Sequence, residues 1–285
     1  MTYIILSIVL STLIVVLFKL FTHFGIDNLQ AIIVNYLVAS LMGLVLGGDF
    51  DKLSTLPSQP WIGMAFLSGF FLMFVFNVFA LSSQKAGIAI TAVASKMSVV
   101  IPVSLGFILY NEDCTAVRIV AIITALLAFY FTFKKKEKKS INKVYFFLPV
   151  LLFLGNGTND SLLNYAEKRL LNNDTMFFLS IAFGISLIFG LLSWAVLRLK
   201  KHKPIKFKNI IAGALLGLLN FGSTYYFLVC LGMFESSFYL PLFNISIVVS
   251  AALIGFFIFK EPLKKINIIG IALAVAAILM ISLSF

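Results

Sequence analysis

Acidic side chains are scarce in this sequence: 11 Asp and Glu stand against 22 Lys and Arg, and charges of both signs make up 12% of 285 positions. Soluble domains carry about 25% charged residues, so a water-soluble fold is excluded at the outset. The shortage also argues against an enzyme. The eleven carboxylates are scattered, and His23 and His202 both fall in predicted loops, so neither a metal set nor a catalytic triad can be assembled. Cysteine is limited to Cys114 in a predicted loop and Cys230 in a predicted span, which leaves no disulfide framework and no thiolate cluster. No Gly-Lys-Ser/Thr loop is available to cradle nucleotide phosphates. The apolar run from Tyr3 to Leu17 lacks a basic lead and a small-residue cleavage site, so it is expected to remain as a first span. No cofactor or metal is expected.

What is abundant is apolar surface, at 61% of residues, with 15% aromatic. A helix needs about 20 such residues to cross about 30 Å of hydrocarbon, because every backbone N–H and C=O must be paired within the segment. Apolar runs between charge clusters and Gly/Pro breaks predict ten spans: 3–22, 29–47, 61–82, 86–108, 115–133, 144–166, 175–197, 208–231, 234–258 and 266–284. The 31 phenylalanines are ordinary filler for such spans and do not by themselves point to an aromatic substrate. Net charge is +11, but the cations lie in short connections between spans, where membrane topology accounts for them without nucleic acid.

The only sizeable hydrophilic stretch, 134–143, holds six lysines and separates five spans from five, dividing the chain into 1–133 and 144–285. A constant shift of 149 residues superposes the halves without a gap, laying Lys19 on Lys168, Val99-Val100 on Val248-Val249, Gly106 on Gly255 and Glu112 on Glu261. Five spans per half is an odd number, so the second half must enter the membrane in the opposite sense. The fold class expected is therefore an all-α integral membrane protein of ten transmembrane helices, arranged as two inverted five-helix repeats. Such repeats allow two mirror-related openings around a central site.

Loop charge predicts the sidedness. Odd-numbered connections hold 17 Lys/Arg: Lys19, Lys85, the six of 134–143, Arg198, Lys200, Lys201, Lys203, Lys206, Lys208, Lys260, Lys264 and Lys265. Even-numbered ones hold four: Lys52, Arg118, Lys168 and Arg169. By the positive-inside rule the odd connections are cytoplasmic and both termini face outward. The setting expected is multi-pass, in a bacterial plasma (inner) membrane.

Ionisable groups inside spans cost about 2.5–3.5 kcal/mol on insertion scales and ask for a reason. Lys96 lies in the fourth span. There Gly87, Thr91, Ser95, Ser98 and Pro102 share one helical face, and Pro102 is expected to bend the helix and free a carbonyl near Ser98. The lysine either captures a carboxylate or phosphate of a substrate, or pairs with Asp160, or snorkels to an interface. In the sixth span Asn156, Asp160 and Asn164 stack at i, i+4 and i+8, and the shift lays Asn156 and Asp160 on Ser7 and Ser11. Asp160 reads as a ligand for a substrate amine, as a proton-coupling carboxylate, or as the partner of Lys96. The ninth span offers Tyr239, Ser246 and Ser250, with Asn244 as the repeat mate of Ser95; Glu235 at its start is expected to be a dipole-favoured carboxylate. The eighth offers Asn220 and Thr224 after Gly213 and Gly217, the glycines reading as close-packing positions. Candidate substrate-binding residues are thus Lys96, Asp160, Ser95, Ser98, Asn156, Asn220, Asn244 and Tyr239.

Each half closes with an apolar helix and a Glu turn, Leu109-Tyr110-Asn111-Glu112 and Ile258-Phe259-Lys260-Glu261-Pro262. With the five-plus-five plan, this resembles the EamA-type transporters of the drug/metabolite transporter superfamily over the whole chain. The resemblance implies a secondary carrier, usually an exporter of amino acids or related metabolites, with a cavity between two helix bundles and no ATP site. It also implies cytoplasmic termini, against the loop charges. The partners expected are a small-molecule substrate and the lipid bilayer, with no nucleic acid; proton coupling and a homodimer stay open. A pore-type channel or scramblase is the alternative, and an intramembrane lipid-modifying enzyme a remoter one.

Overall fold

Hydrocarbon offers a backbone no hydrogen-bond partners, so an apolar chain must pair its N–H and C=O groups within its own helices or a closed barrel. The computed structural model describes residues 2–48, 50–85, 88–133, 147–172, 174–200, 204–260 and 265–283. Among them all regular structure is helical: α1 (Thr2–Phe24), α2 (Asn28–Gly47), α3 (Ile62–Lys85), α4 (Ile88–Met97), α5 (Val100–Leu109), α6 (Ala116–Phe133), α7 (Phe147–Arg169), α8 (Thr175–Lys200), α9 (Phe207–Met233), α10 (Ser236–Phe257) and α11 (Lys265–Leu283), plus a 3-10 stretch, Asp51–Ser58. The basic linker 134–143 lies outside the described residues, as do Gly87, His202, Glu261 and Pro262.

Six helices, α1, α2, α3, α8, α9 and α10, are long and apolar enough to cross a bilayer. The others fall short for visible reasons. The apolar cores of α6 and α11 are shorter, and the fourth expected span is interrupted. In α7, apolarity is broken by Asn156, Asn159, Asp160, Asn164, Glu167, Lys168 and Arg169. The outward faces are apolar too, with Ile5, Val45, Leu192 and Leu279 all exposed, as lipid-facing side chains should be. The chain is a multi-pass integral membrane protein.

Local chemistry ends the helices where the sequence changes. Past α1, Gly25 takes φ 59° and the Ile26 N–H closes on Phe21 O at 2.9 Å, the left-handed stop that glycine permits. Asp27 then caps α2, accepting from Gln30 N at 3.3 Å.

The fourth span is two helices. Pro102 has no N–H for the Ser98 carbonyl, which takes the Ile101 N–H instead at 3.0 Å. One residue back, the Val99 N–H turns to Lys96 O at 3.4 Å, so Ser95 O loses its usual donor and accepts from Ser98 Oγ at 2.7 Å. The bend expected from Pro102 thus becomes a break at Ser98-Val99, just past Lys96.

Packing groups the helices into two units that cut across the halves of the sequence: Met1–Met73 with Tyr165–Gly232, and Phe74–Asn164 with Met233–Phe285. In the first unit α2 lies along α8. Ser40 and Ser180 each donate to the other's carbonyl, at 2.8 and 2.6 Å, and Tyr36 stacks on Phe183. Close approach requires glycine: a Cβ on Gly43 would stand 2.8 Å from Met176 O. On α9, Gly213 and Gly217 meet α2, where a Cβ would come within 2.4 Å of Ala31 O and 2.8 Å of Asn35 O, in agreement with their expected packing role. In the second unit α6 lies along α11, and both bury small residues, Ala121, Ala125 and Ala128 on one and Ala274 and Ala277 on the other.

Candidate functional site

Three helices of the second unit bring most of the polar candidates together. On α4, Ser95 and Lys96 occupy the last turn before the break. On α7, Asn156 and Asp160 are one turn apart, and α10 contributes Asn244. Asn156 Nδ2 donates to Ser95 Oγ at 2.9 Å, which ties α7 to α4. Lys96 Nζ donates to Asn244 Oδ1 at 3.1 Å, which ties α4 to α10. The Asn244 amide is fixed at its other end as well, since Nδ2 donates to Leu240 O at 3.0 Å.

Lys96 and Asp160 interact electrostatically but form no ion pair within 4.0 Å. The lysine's direct contact is a neutral amide. Both side chains are half-buried, so neither charge is sealed in an apolar core. Two opposite charges without an ion pair between them, the ammonium resting on a neutral amide, can accept a molecule carrying the complementary pair of charges. Close-packing on α7 supports the arrangement, because a Cβ on Gly157 would fall 2.4 Å from Ile101 Cδ1 of α5.

The remaining candidates are placed differently. Ser98 is buried and spends its hydroxyl on Ser95 O. Tyr239, at 0% exposure, is enclosed in the second unit. Asn220 belongs to the first unit, where Nδ2 donates to Asn35 Oδ1 at 3.1 Å and Thr224 Oγ1 donates to Asn220 Oδ1 at 3.5 Å. The serine mates of Asn156 and Asp160 lie in that unit too, with Ser11 Oγ 2.5 Å from Ser223 Oγ.

Two features of the second unit lie outside the candidate binding residues. Glu112 is buried and accepts from Ser236 N and Ser237 N at 2.7 and 2.8 Å. Arg118, also buried, pairs with Glu235 and donates to Asp113 O at 2.9 Å. The repeated Gly-and-Glu pattern marks Glu112, but only coordinates reveal what it binds. Among the described residues no group of His, Cys, Asp and Glu is placed to hold a metal ion.

Comparison with known proteins adds three findings. The model of the EamA-like transporter family matches residues 138–283. An uncharacterised protein of Haemophilus influenzae is 24% identical over 280 residues, which cover 95% of this chain and 94% of that protein. A protein crystal structure matches with a TM-score of 0.77, covering 99% of this chain and 97% of that one at 14% identity, a likeness that speaks for the fold alone.

Proposed function

Because the chain belongs to the EamA-like transporter family, we propose that it is a secondary carrier, exporting a small polar or zwitterionic metabolite such as an amino acid by alternating access around the cluster on α4, α7 and α10. The observation that carries this reading is that Lys96 and Asp160 share one cluster without an ion pair between them, the ammonium bonding to the neutral Asn244 amide at 3.1 Å and Asn156, one turn from Asp160, bonding to Ser95 at 2.9 Å. A zwitterion supplies a carboxylate to Lys96 and an ammonium to Asp160, so each half-buried charge gains a compensating partner and none is left bare. Ser95 and Asn156 offer hydrogen bonds beside them, and Asp160 is also the group through which proton coupling would run.

Alternating access needs a scaffold with two related openings, and several observations support the ten-span inverted plan. A shift of 149 carries α2 (28–47) to 177–196, within α8, and α6 (116–133) to 265–282, within α11. It carries α4 and α5 together (88–109) to 237–258, against α10 at 236–257. The left-handed residues Asn111 (φ 52°) and Lys260 (φ 51°) are 149 apart. Moreover α2 packs on α8 and α6 on α11, each on its own mate, as happens where a two-fold axis passes between equivalent elements.

The test is flux in proteoliposomes loaded with a mixture of labelled amino acids. Saturable uptake stimulated by counter-substrate is expected of a carrier, and non-saturating flux of a pore. Lys96→Ala should lower flux about tenfold to a hundredfold, the scale of losing one charge-assisted hydrogen bond to the substrate, with the protein still folded. Undiminished flux in that variant removes the lysine from the site.

A further inference from the structure

The first turn of α10 is held from outside the helix. Its leading N–H groups, on Ser236 and Ser237, donate to the two oxygens of Glu112 at 2.7 and 2.8 Å, where a carboxylate also meets the positive end of the helix dipole. Two local features bring Glu112 there. Asn111 takes φ 52° and turns the chain back after α5. Gly106 leaves the space, since a Cβ on it would stand 2.7 Å from Glu112 Oε2. The same turn of α10 is tied to α7 by Asn164 Nδ2 donating to Ser236 Oγ at 2.6 Å, and to α6 by the Arg118–Glu235 pair.

Pro241 gives these ties their importance. It lies inside α10 and has no N–H for the Ser237 carbonyl, so the ladder lacks a rung between the first turn and the rest of the helix. Beyond the gap stands Asn244, bonded to Leu240 O and accepting from Lys96 Nζ at 3.1 Å. At 1.5 Å per residue it is about 10 Å along the axis from Ser237. A slip of about 1 Å at the first turn, passed along the helix, is enough to break a hydrogen bond already near the long end of its range.

We propose that Glu112 is a positioning residue: by fixing the N-terminus of α10 it sets where Asn244 stands, and so where the Lys96 ammonium is held. Its value for transport rests on the carrier reading, but the coupling itself does not.

Backbone hydrogen exchange of the full-length protein in detergent, read by mass spectrometry without substrate, tests the coupling. Glu112→Ala should speed exchange about tenfold, the scale of one charge-assisted hydrogen bond lost, over residues 236–240 and also over 95–99. Asn244→Ala should speed exchange over 95–99 alone, and adding Glu112→Ala to it should bring no further rise there. Glu112→Gln, which keeps the shape and one acceptor, should give a smaller change of the same pattern. Gly106→Ala, which displaces the carboxylate without removing it, should reproduce Glu112→Ala. Faster exchange confined to 236–240 would reduce Glu112 to a local cap and overturn the proposal, as would no change in either segment. Normal flux in Lys96→Ala would sink the carrier reading while leaving this exchange pattern intact, so the two failures are distinguishable.

Discussion

An ammonium at the centre of a membrane helix costs about 2.5–3.5 kcal/mol on insertion scales. Lys96 offsets that cost with a direct bond to Asn244 and with the field of Asp160 from beyond ion-pair distance. Removing either charge leaves the other less compensated. Lys96→Met and Asp160→Asn are each expected to lower the stability of the purified protein by about 1–2 kcal/mol, a range kept below that of fully buried pairs because both groups are half-buried. The double variant should lose less than the sum, by about 0.5 kcal/mol or more. Thermal melts in detergent measure this, and strict additivity would mean that the two charges do not feel each other. Much of the cluster is legible in the spacing of Ser95, Lys96, Asn156 and Asp160, since a period of 3.6 decides which residues share a face. What spacing does not hold is the partner across the gap. The repeat shift points to Asn244 as the mate of Ser95, and only packing makes it the ligand of Lys96. For the same reason spacing ranks Tyr239 and Asn220 alongside it, although one is enclosed and the other is engaged with Asn35.

Helices pack in lipid through small residues, because the apolar solvent gives no hydrophobic push and close contact must supply the energy. The glycines of α9 and α3 let this be tested by contrast. A Cβ on Gly213 would meet Ala31 O at 2.4 Å, backbone that cannot yield, whereas one on Gly63 would meet nothing within 4 Å. Gly213→Ala should therefore cost about 1–3 kcal/mol from overpacking. Gly63→Ala should be neutral, or stabilise by up to about 1 kcal/mol, because alanine is the better helix former. Melting of the two variants side by side checks this; equal behaviour would remove close contact as the reason for Gly213. Element boundaries are well legible here, since charge clusters and Gly-Asp caps such as Gly25 and Asp27 are local signals. The break in the fourth span is only half legible. Pro102 announces a lost donor, but the position of the break depends on Val99 N–H choosing Lys96 O and on Ser98 Oγ covering Ser95 O, a choice made by neighbours and not by propensity.

At the scale of the whole chain, charge asymmetry and the 149-residue shift report on topology, because both are sums over many residues. The grouping of helices into units that cross the halves is not legible from either, since likeness between segments carries no information about which segments touch. The loop charges predict a sidedness, and the structure explains part of the exception. Of the four cations on the sparse side, Lys52 bonds to Asp174 at 2.6 Å and Arg118 pairs with Glu235, so each has a local structural reason to be there. That leaves the bias of 17 to four as a sharper orientation signal. By the positive-inside rule the connection between α5 and α6 is predicted to face outward, and that connection carries an exposed thiol, Cys114, while Cys230 is buried. A membrane-impermeant maleimide should therefore label the protein in spheroplasts without permeabilisation, and Cys114→Ser should abolish the label. Labelling that appears only after permeabilisation would put that connection and the other even-numbered ones on the cytoplasmic side, and the odd-numbered ones outward. Both termini would then be cytoplasmic, as the resemblance implies and against the loop charges.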